Sequence, residues 1–301
     1  MPHYQMPDGE QLFVREYGQG KPVLVLSGLG MQSWQWHPFL YCYRNQFKFI
    51  IPDWRGFGGS SQCKIPALDA ISSHWCDIQN LLLQLPHEKY SVIAYSMGAT
   101  TSMHGMQYGQ FADKIHHYLH IDQTPTIRSN PDWPYGLFGT RNTEFIRILE
   151  NISAVLQRNT SAVFIDQLNS ADRESLLQSW LFFINLQASS KIAPFLIQHG
   201  LKRPRLQAFI LPIQRLDYLA WYINNYLHHQ EDYRMALSRF DQPATFFIGE
   251  QSKLYPAEGQ KIIASQLNHA KTVLFEKSGH MPLVSEPFKF SKEIGVFLKA
   301  I

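Results

Sequence analysis

The chain has 301 residues, 45% hydrophobic and 17% charged, a globular balance that suits one α/β core with one insertion. Its net charge of +3 is spread without a concentrated basic face, which argues against a nucleic-acid binder, and no window holds the roughly 18 consecutive apolar residues of a membrane span. Three cysteines (Cys42, Cys63, Cys76) lack metal-ligand spacing and leave one unpaired, and residues 1–16 lack an apolar signal core, so a reduced, cytoplasmic protein is expected.

In chain order, residues 11–16 alternate like a half-exposed strand after the Asp8-Gly9 turn. Four short apolar runs follow. Residues 23–26 stop at Ser27-Gly28-Leu29-Gly30, and 47–51 stop at Pro52-Asp53. Residues 91–94 stop at Tyr95-Ser96-Met97-Gly98, and 118–121 stop at Asp122. Runs of this kind are buried parallel strands covered by helices on both faces. Residues 78–85 and 99–108 read as the intervening helices, so the β-α-β alternation predicts a doubly wound, mostly parallel sheet.

The alternation breaks after Asp122. Helical periods at 144–157, 175–186, 213–227 and 232–240 predict a helical cap over residues 124–241, inserted in a core formed by 1–123 and 242–301. Pro212 stands at the start of the third helix, where a helix tolerates proline. Loops are expected at 128–140 and 200–204. The basic cluster Lys202, Arg203 and Arg205 reads as a solvated helix end or loop. Strands resume at 244–248 and 272–275, and a last amphipathic helix covers 287–298.

Ala94-Tyr95-Ser96-Met97-Gly98 places a serine on a sharp turn between a buried strand and a helix. Small residues on either side let the backbone fold tightly and lift the hydroxyl out of the sheet. His280, in Ser278-Gly279-His280-Met281-Pro282, follows the last strand, where a loop can return an imidazole to the serine as a base. His116, His117 and His120 lie in or beside a strand whose alternation sends 116 and 117 to opposite faces, against a shared metal. The pair His228-His229 reads as a polar helix end.

These motifs, together with Asp53-Trp54-Arg55-Gly56-Phe57-Gly58-Gly59-Ser60, make the chain resemble the α/β-hydrolase superfamily almost end to end. The resemblance implies a Ser-acid-His triad with Ser96 as nucleophile and His280 as base. It departs from the family pattern in two places. Ala94 stands where glycine is usual. The stretch Gly249-Glu250-Gln251-Ser252 carries serine where many members carry the acid. Other members place the acid after the strand that follows the elbow helix, so Asp122 is the expected acid and Glu250 the alternative.

The resemblance further implies an oxyanion hole from the amides of Leu29 and Met97, a structural role for Asp53 and Arg55, and no metal or organic cofactor. Trp34, Trp36, Tyr95, Trp133, Tyr135 and Trp221 are expected to line an apolar pocket under the cap, which favours a small apolar or aromatic substrate. The expected reaction is hydrolysis of an ester or related carbonyl bond through an acyl-enzyme, with carbon–carbon hydrolysis close to it. A cofactor-free ring-cleaving dioxygenase using His280 and Asp122, and a non-catalytic ligand receptor, are the competing readings. The sequence carries no heptad repeat to set an oligomeric state.

Overall fold

A computed structural model gives the structure of the protein and describes residues 2–187, 213 and 215–301. The expected loop at 200–204, Pro212 and the Lys202–Arg203–Arg205 cluster lie outside the described residues. The sheet runs β1 (His3–Gln5), β2 (Gln11–Gly18), β4 (Phe47–Pro52), β3 (Lys21–Leu26), β5 (Tyr90–Tyr95), β6 (Ile115–Ile121), β7 (Ala244–Gly249) and β8 (Ala270–Phe275). The pairs β1/β2 and β2/β4 are antiparallel, and every pair from β4/β3 to β7/β8 is parallel.

The interior strands β3, β4, β5 and β7 are largely apolar because both faces are covered. Along β3, Val23 and Val25 join one core and Leu24 and Leu26 the other. The first core includes Trp36 and Leu40, beside the helical turn α1 (His37–Leu40), and Phe290 and Ile294 of α10 (Pro287–Lys299), which follows the short α9 (Pro282–Ser285). The second is covered by α2 (Ala70–Gln84), α3 (Met97–Tyr108) and α8 (Ala257–Gln266) through Trp75, Ile78, Met103 and Ile263. Strand β3 has β4 on one side and β5 on the other, so chain direction switches at their carboxyl ends. This is where open α/β sheets form a crevice.

Between β6 and β7 lie α4 (Asn142–Gln157), α5 (Ser170–Gln187), α6 (Leu216–His228) and the short α7 (Arg234–Ser238). Ile148, Leu149 and Ile152 of α4 pack with Leu176 of α5 and Ile223 of α6 in a separate apolar cluster. Element boundaries moved where capping outweighs periodicity. Helix α2 starts at Ala70 rather than at 78 because the Asp69 carboxylate accepts from the Ser72 N–H at 3.0 Å. The expected helix at 213–227 begins at Leu216, and the one at 232–240 shrinks to α7.

Helix α8 was not foreseen. It carries Gly259 in its interior, where a Cβ would lie 2.4 Å from the Tyr135 side chain, so close packing replaces helix propensity. In β6, a register shift opposite Tyr90/Ser91 interrupts the alternation. The rings of His116 and His117 consequently meet edge-to-face at 4.8 Å rather than facing apart. Among the described residues no group of three His, Cys, Asp or Glu side chains forms a metal-ligand set, and no helix is long and apolar enough to cross a membrane.

Candidate active site

Ser96 sits at the junction of β5 and α3 with φ 53° and ψ −119°. A non-glycine residue held there carries backbone strain, and the packing around it explains why it stays. Gly98 presses α3 onto β3 so closely that a Cβ would lie 2.2 Å from the Leu26 carbonyl oxygen. Gly28, at the end of β3, comes so near that a Cβ would meet Ser96 Cβ at 3.3 Å and the Tyr95 ring at 3.0 Å. The buried Ala94 fits in place of the more usual glycine without opening the turn.

Asp122 directly follows β6 with φ 43° and is fully buried. Four donors converge on its carboxylate. Oδ1 accepts from the Gly249 N–H (3.0 Å) and from Gln260 Nε2 (3.1 Å). Oδ2 accepts from the Ser252 hydroxyl (2.8 Å) and meets His280 Nδ1 at 2.7 Å. On the other side of the ring, His280 Nε2 lies 2.9 Å from Ser96 Oγ. The three expected triad residues are therefore joined in one continuous hydrogen-bonded line.

Two tyrosines hold the imidazole. Tyr95 stacks on it at 5.3 Å and donates its hydroxyl to the His280 carbonyl at 2.9 Å, and Tyr255 packs on it at 5.4 Å. Burial pushes both phenols well above their ordinary range, so both are neutral hydroxyls. His120, two residues before Asp122, is pushed down to about 4 by burial and spends its nitrogens on the Tyr118 hydroxyl and the Gln123 carbonyl. It is a neutral prop of the strand end rather than a second base. Met97 directly follows Ser96 at the start of α3 and Leu29 lines the same cavity as Ser96, and neither amide donates to another backbone group among the described residues outside regular helix and strand pairing.

Several expected residues lie elsewhere. Glu250, the alternative acid, is at the surface and pairs with Lys261 at 3.0 Å. Its backbone follows β7 outward, while the next turn sends Ser252 inward to Asp122. Asp53 and Arg55 are structural. Asp53 accepts from the Ser33 and Gly59 amides, and Arg55 is clamped by Asp77 and Asp8.

Of the six aromatic residues expected at the pocket, Tyr95 alone lines the cavity that opens on Ser96. Trp34 is 57% exposed and bonds to Gln32, and Trp36 is sealed in the core with its indole N–H on Ser27 Oγ at 3.0 Å. Trp133 packs edge-on against Tyr135 under the Arg234 guanidinium, and Tyr135 borders a separate, open depression. Trp221 donates to the Leu68 carbonyl at 2.9 Å, tying α6 to the loop before α2. Trp36 and Trp221 are thus positioned by their indole N–H partners rather than by the pocket.

The cavity has a volume of about 680 Å³, and its walls are mostly aliphatic. Sequence reading missed these walls because a stripe such as Ile148, Leu149 and Ile152 is read as helix-on-helix core. It also missed Ser252 and Gln260 as partners of the acid. The serine at the usual acid position was the available signal for the first, and Gln260 has none, since it lies 138 residues from Asp122 on a helix that was not foreseen.

The comparisons agree with this architecture. Residues 21–287 match the family model described as alpha/beta hydrolase fold. The chain is 25% identical over 288 residues to a pimeloyl-[acyl-carrier protein] methyl ester esterase of Legionella pneumophila, covering 94% of this chain and 98% of that protein. It is 22% identical over 279 residues to one from Nitrosomonas europaea, covering 93% and 96%. Among solved structures, an esterase from Exiguobacterium antarcticum superimposes with a TM-score of 0.71 at 18% identity, covering 99% of both chains. With the family model spanning nearly the whole sheet and the site at its switch point, the chain belongs to the alpha/beta hydrolase fold family.

Proposed function

We propose that the protein is an ester-cleaving serine hydrolase that works through an acyl-enzyme. The observation that carries this reading is the line Asp122 Oδ2–His280 Nδ1 (2.7 Å) and His280 Nε2–Ser96 Oγ (2.9 Å). His280 takes the Ser96 proton as Oγ attacks the ester carbonyl, then gives it to the departing alcohol. Water, deprotonated by the same imidazole, adds to the acyl carbon, and the acid leaves as Ser96 recovers its proton.

Asp122 keeps the Nδ1 proton in place and stabilises the imidazolium formed in each half-reaction. The Leu29 and Met97 amides hold the carbonyl oxygen as it gains charge. The described helices between β6 and β7, within residues 124–241, act as the cap over this site. The named activity of the curated relatives supports an ester of a small alcohol as the bond cleaved, and the apolar cavity supports an apolar acyl part.

Intact mass after incubation with a fluorophosphonate tests the reading. A single adduct is expected on the wild-type protein and none on Ser96→Ala, which also loses ester turnover while keeping its fold. A folded wild type that takes no adduct refutes it and directs attention to oxygen uptake driven by His280.

A further inference from the structure

Each oxygen of the Asp122 carboxylate meets two groups, and the oxygen that meets His280 also meets Ser252. Ser252 arrives on the turn after β7, which is braced on the loop that carries His280. A Cβ at Gly249 would lie 2.1 Å from the Gly279 carbonyl oxygen, and the Gln251 N–H donates to the Ser278 carbonyl at 2.9 Å. The Ser252 N–H closes the turn on the Gly249 carbonyl at 3.0 Å, and the side chain is buried.

The direction of the hydroxyl hydrogen follows from its two partners. Ser252 Oγ lies 2.8 Å from Asp122 Oδ2 and 3.3 Å from the Tyr255 backbone nitrogen. A backbone N–H can only donate, and an ionised carboxylate can only accept. The hydroxyl therefore accepts from Tyr255 and gives its one hydrogen to Oδ2.

His280 Nδ1 lies 2.7 Å from the same oxygen. A donor draws charge from the oxygen it binds, so the two donors on Oδ2 compete for it. With Ser252 in place, Oδ2 stabilises the imidazolium less than it would with His280 as its single donor. The ring then stays ready to take the Ser96 proton at lower pH. The other titratable groups facing the pair do not change charge in that range. Tyr95 at the end of β5 and Tyr255 ahead of α8 are held neutral by burial, and burial pushes His120 on β6 down to about 4. On the neighbouring segments, Glu250 pairs with Lys261, and Glu286 accepts from the Lys277 N–H and the Ser278 hydroxyl.

We propose that Ser252 is a positioning residue that acts through Asp122: its hydroxyl holds part of the charge on Oδ2 and keeps the triad working further into acid. The proposal rests on the esterase reading. It gives the serine that stands where many family members carry the acid a part in setting the pH range of the reaction.

The test is the pH dependence of kcat/KM on p-nitrophenyl butyrate, which follows protonation of the free enzyme. Wild type, Ser252→Ala and Ser252→Cys are compared, with thermal melting to confirm each fold. Alanine removes the donor. Cysteine keeps the side chain's shape and offers only a weak S–H donor, so it serves if alanine unsettles the turn. The height of the alkaline plateau reports how well the acid is held in place, and the position of the acid limb reports the charge left to His280. In both variants the acid limb is expected to move up by about 0.3 pH unit or more, about twofold in rate on the acid side.

A limb that moves by less than this, or toward acid, in a variant that keeps its fold overturns the proposal. A profile lowered equally at every pH is one such result and leaves Ser252 a structural part of the turn. Failure of the esterase reading looks different, because the wild type itself then hydrolyses no ester and takes no fluorophosphonate.

Discussion

Replacing Asp122 by asparagine conserves its shape and turns one acceptor into a donor. The consequence follows from what surrounds it. Gly249 N–H and Gln260 Nε2 point at Oδ1, and the Ser252 hydroxyl and His280 Nδ1 at Oδ2. The Gly249 donor belongs to the backbone and cannot turn away. The amide oxygen of asparagine must therefore take the Oδ1 place, which leaves the NH2 at the Oδ2 place. Ser252 can rotate its hydroxyl to accept. His280 can answer only as the neutral tautomer with a bare Nδ1 and its hydrogen on Nε2. That hydrogen then points at Ser96 Oγ, 2.9 Å away, and the ring cannot take the serine proton.

The expected loss in kcat for Asp122→Asn is about 10⁴-fold, or about 5 kcal/mol of barrier. Initial rates on p-nitrophenyl butyrate measure it, with thermal melting to confirm that the fold persists. Glu250→Gln is the control and is expected to stay within about twofold, because its surface pair with Lys261 does not touch the triad. More than a tenth of wild-type activity in Asp122→Asn, or a collapse in Glu250→Gln, refutes the reasoning.

The other predictions concern the supports of the site. Gln260→Leu removes a donor to a buried carboxylate, a bond worth about 1.5–3 kcal/mol, so kcat should fall by about tenfold or more with little change in KM. A variant that changes KM alone contradicts a positioning role. Burial pushes His74 down to about 3 and His120 and His229 to about 4. Unfolded, these groups titrate near 6.5, so below that pH the unfolded chain binds more protons than the folded one. Stability is therefore full above about pH 6.5 and is lost as pH falls toward about 4, by roughly 2 kcal/mol at most for each group between pH 7 and pH 5. A urea midpoint that stays level over that interval contradicts the burial argument.

The parts legible in the sequence were those fixed by short stretches of chain. A buried run ending in a turn specifies a strand end, which locates Ser96 and Asp122, while the resemblance to the α/β-hydrolase superfamily is what singles out Asp122 and His280 as partners of Ser96. The parts not legible depend on partners far apart in the chain. Nothing local to Trp36 or Trp221 says that an indole N–H finds Ser27 or Leu68 rather than a pocket. Gly259 argues locally against the helix that delivers Gln260, and only the facing Tyr135 ring explains why the helix needs it. The stripes of α4, α5 and α6 have the same spacing whether they close on each other or leave a chamber. That difference lies in how the helices are set apart, which periodicity does not record.

The backbone at Ser96 has a consequence of its own. Its left-handed conformation costs a residue with a side chain roughly 1–3 kcal/mol and costs glycine little. At most sites a glycine loosens a protein, but here it relieves a spring that the rest of the fold keeps wound. A disarmed Ser96→Gly protein should outlast Ser96→Ala on heating. With Ser96 as the proposed nucleophile, durability and reactivity pull on this turn in opposite directions, and a serine there costs stability that glycine would return.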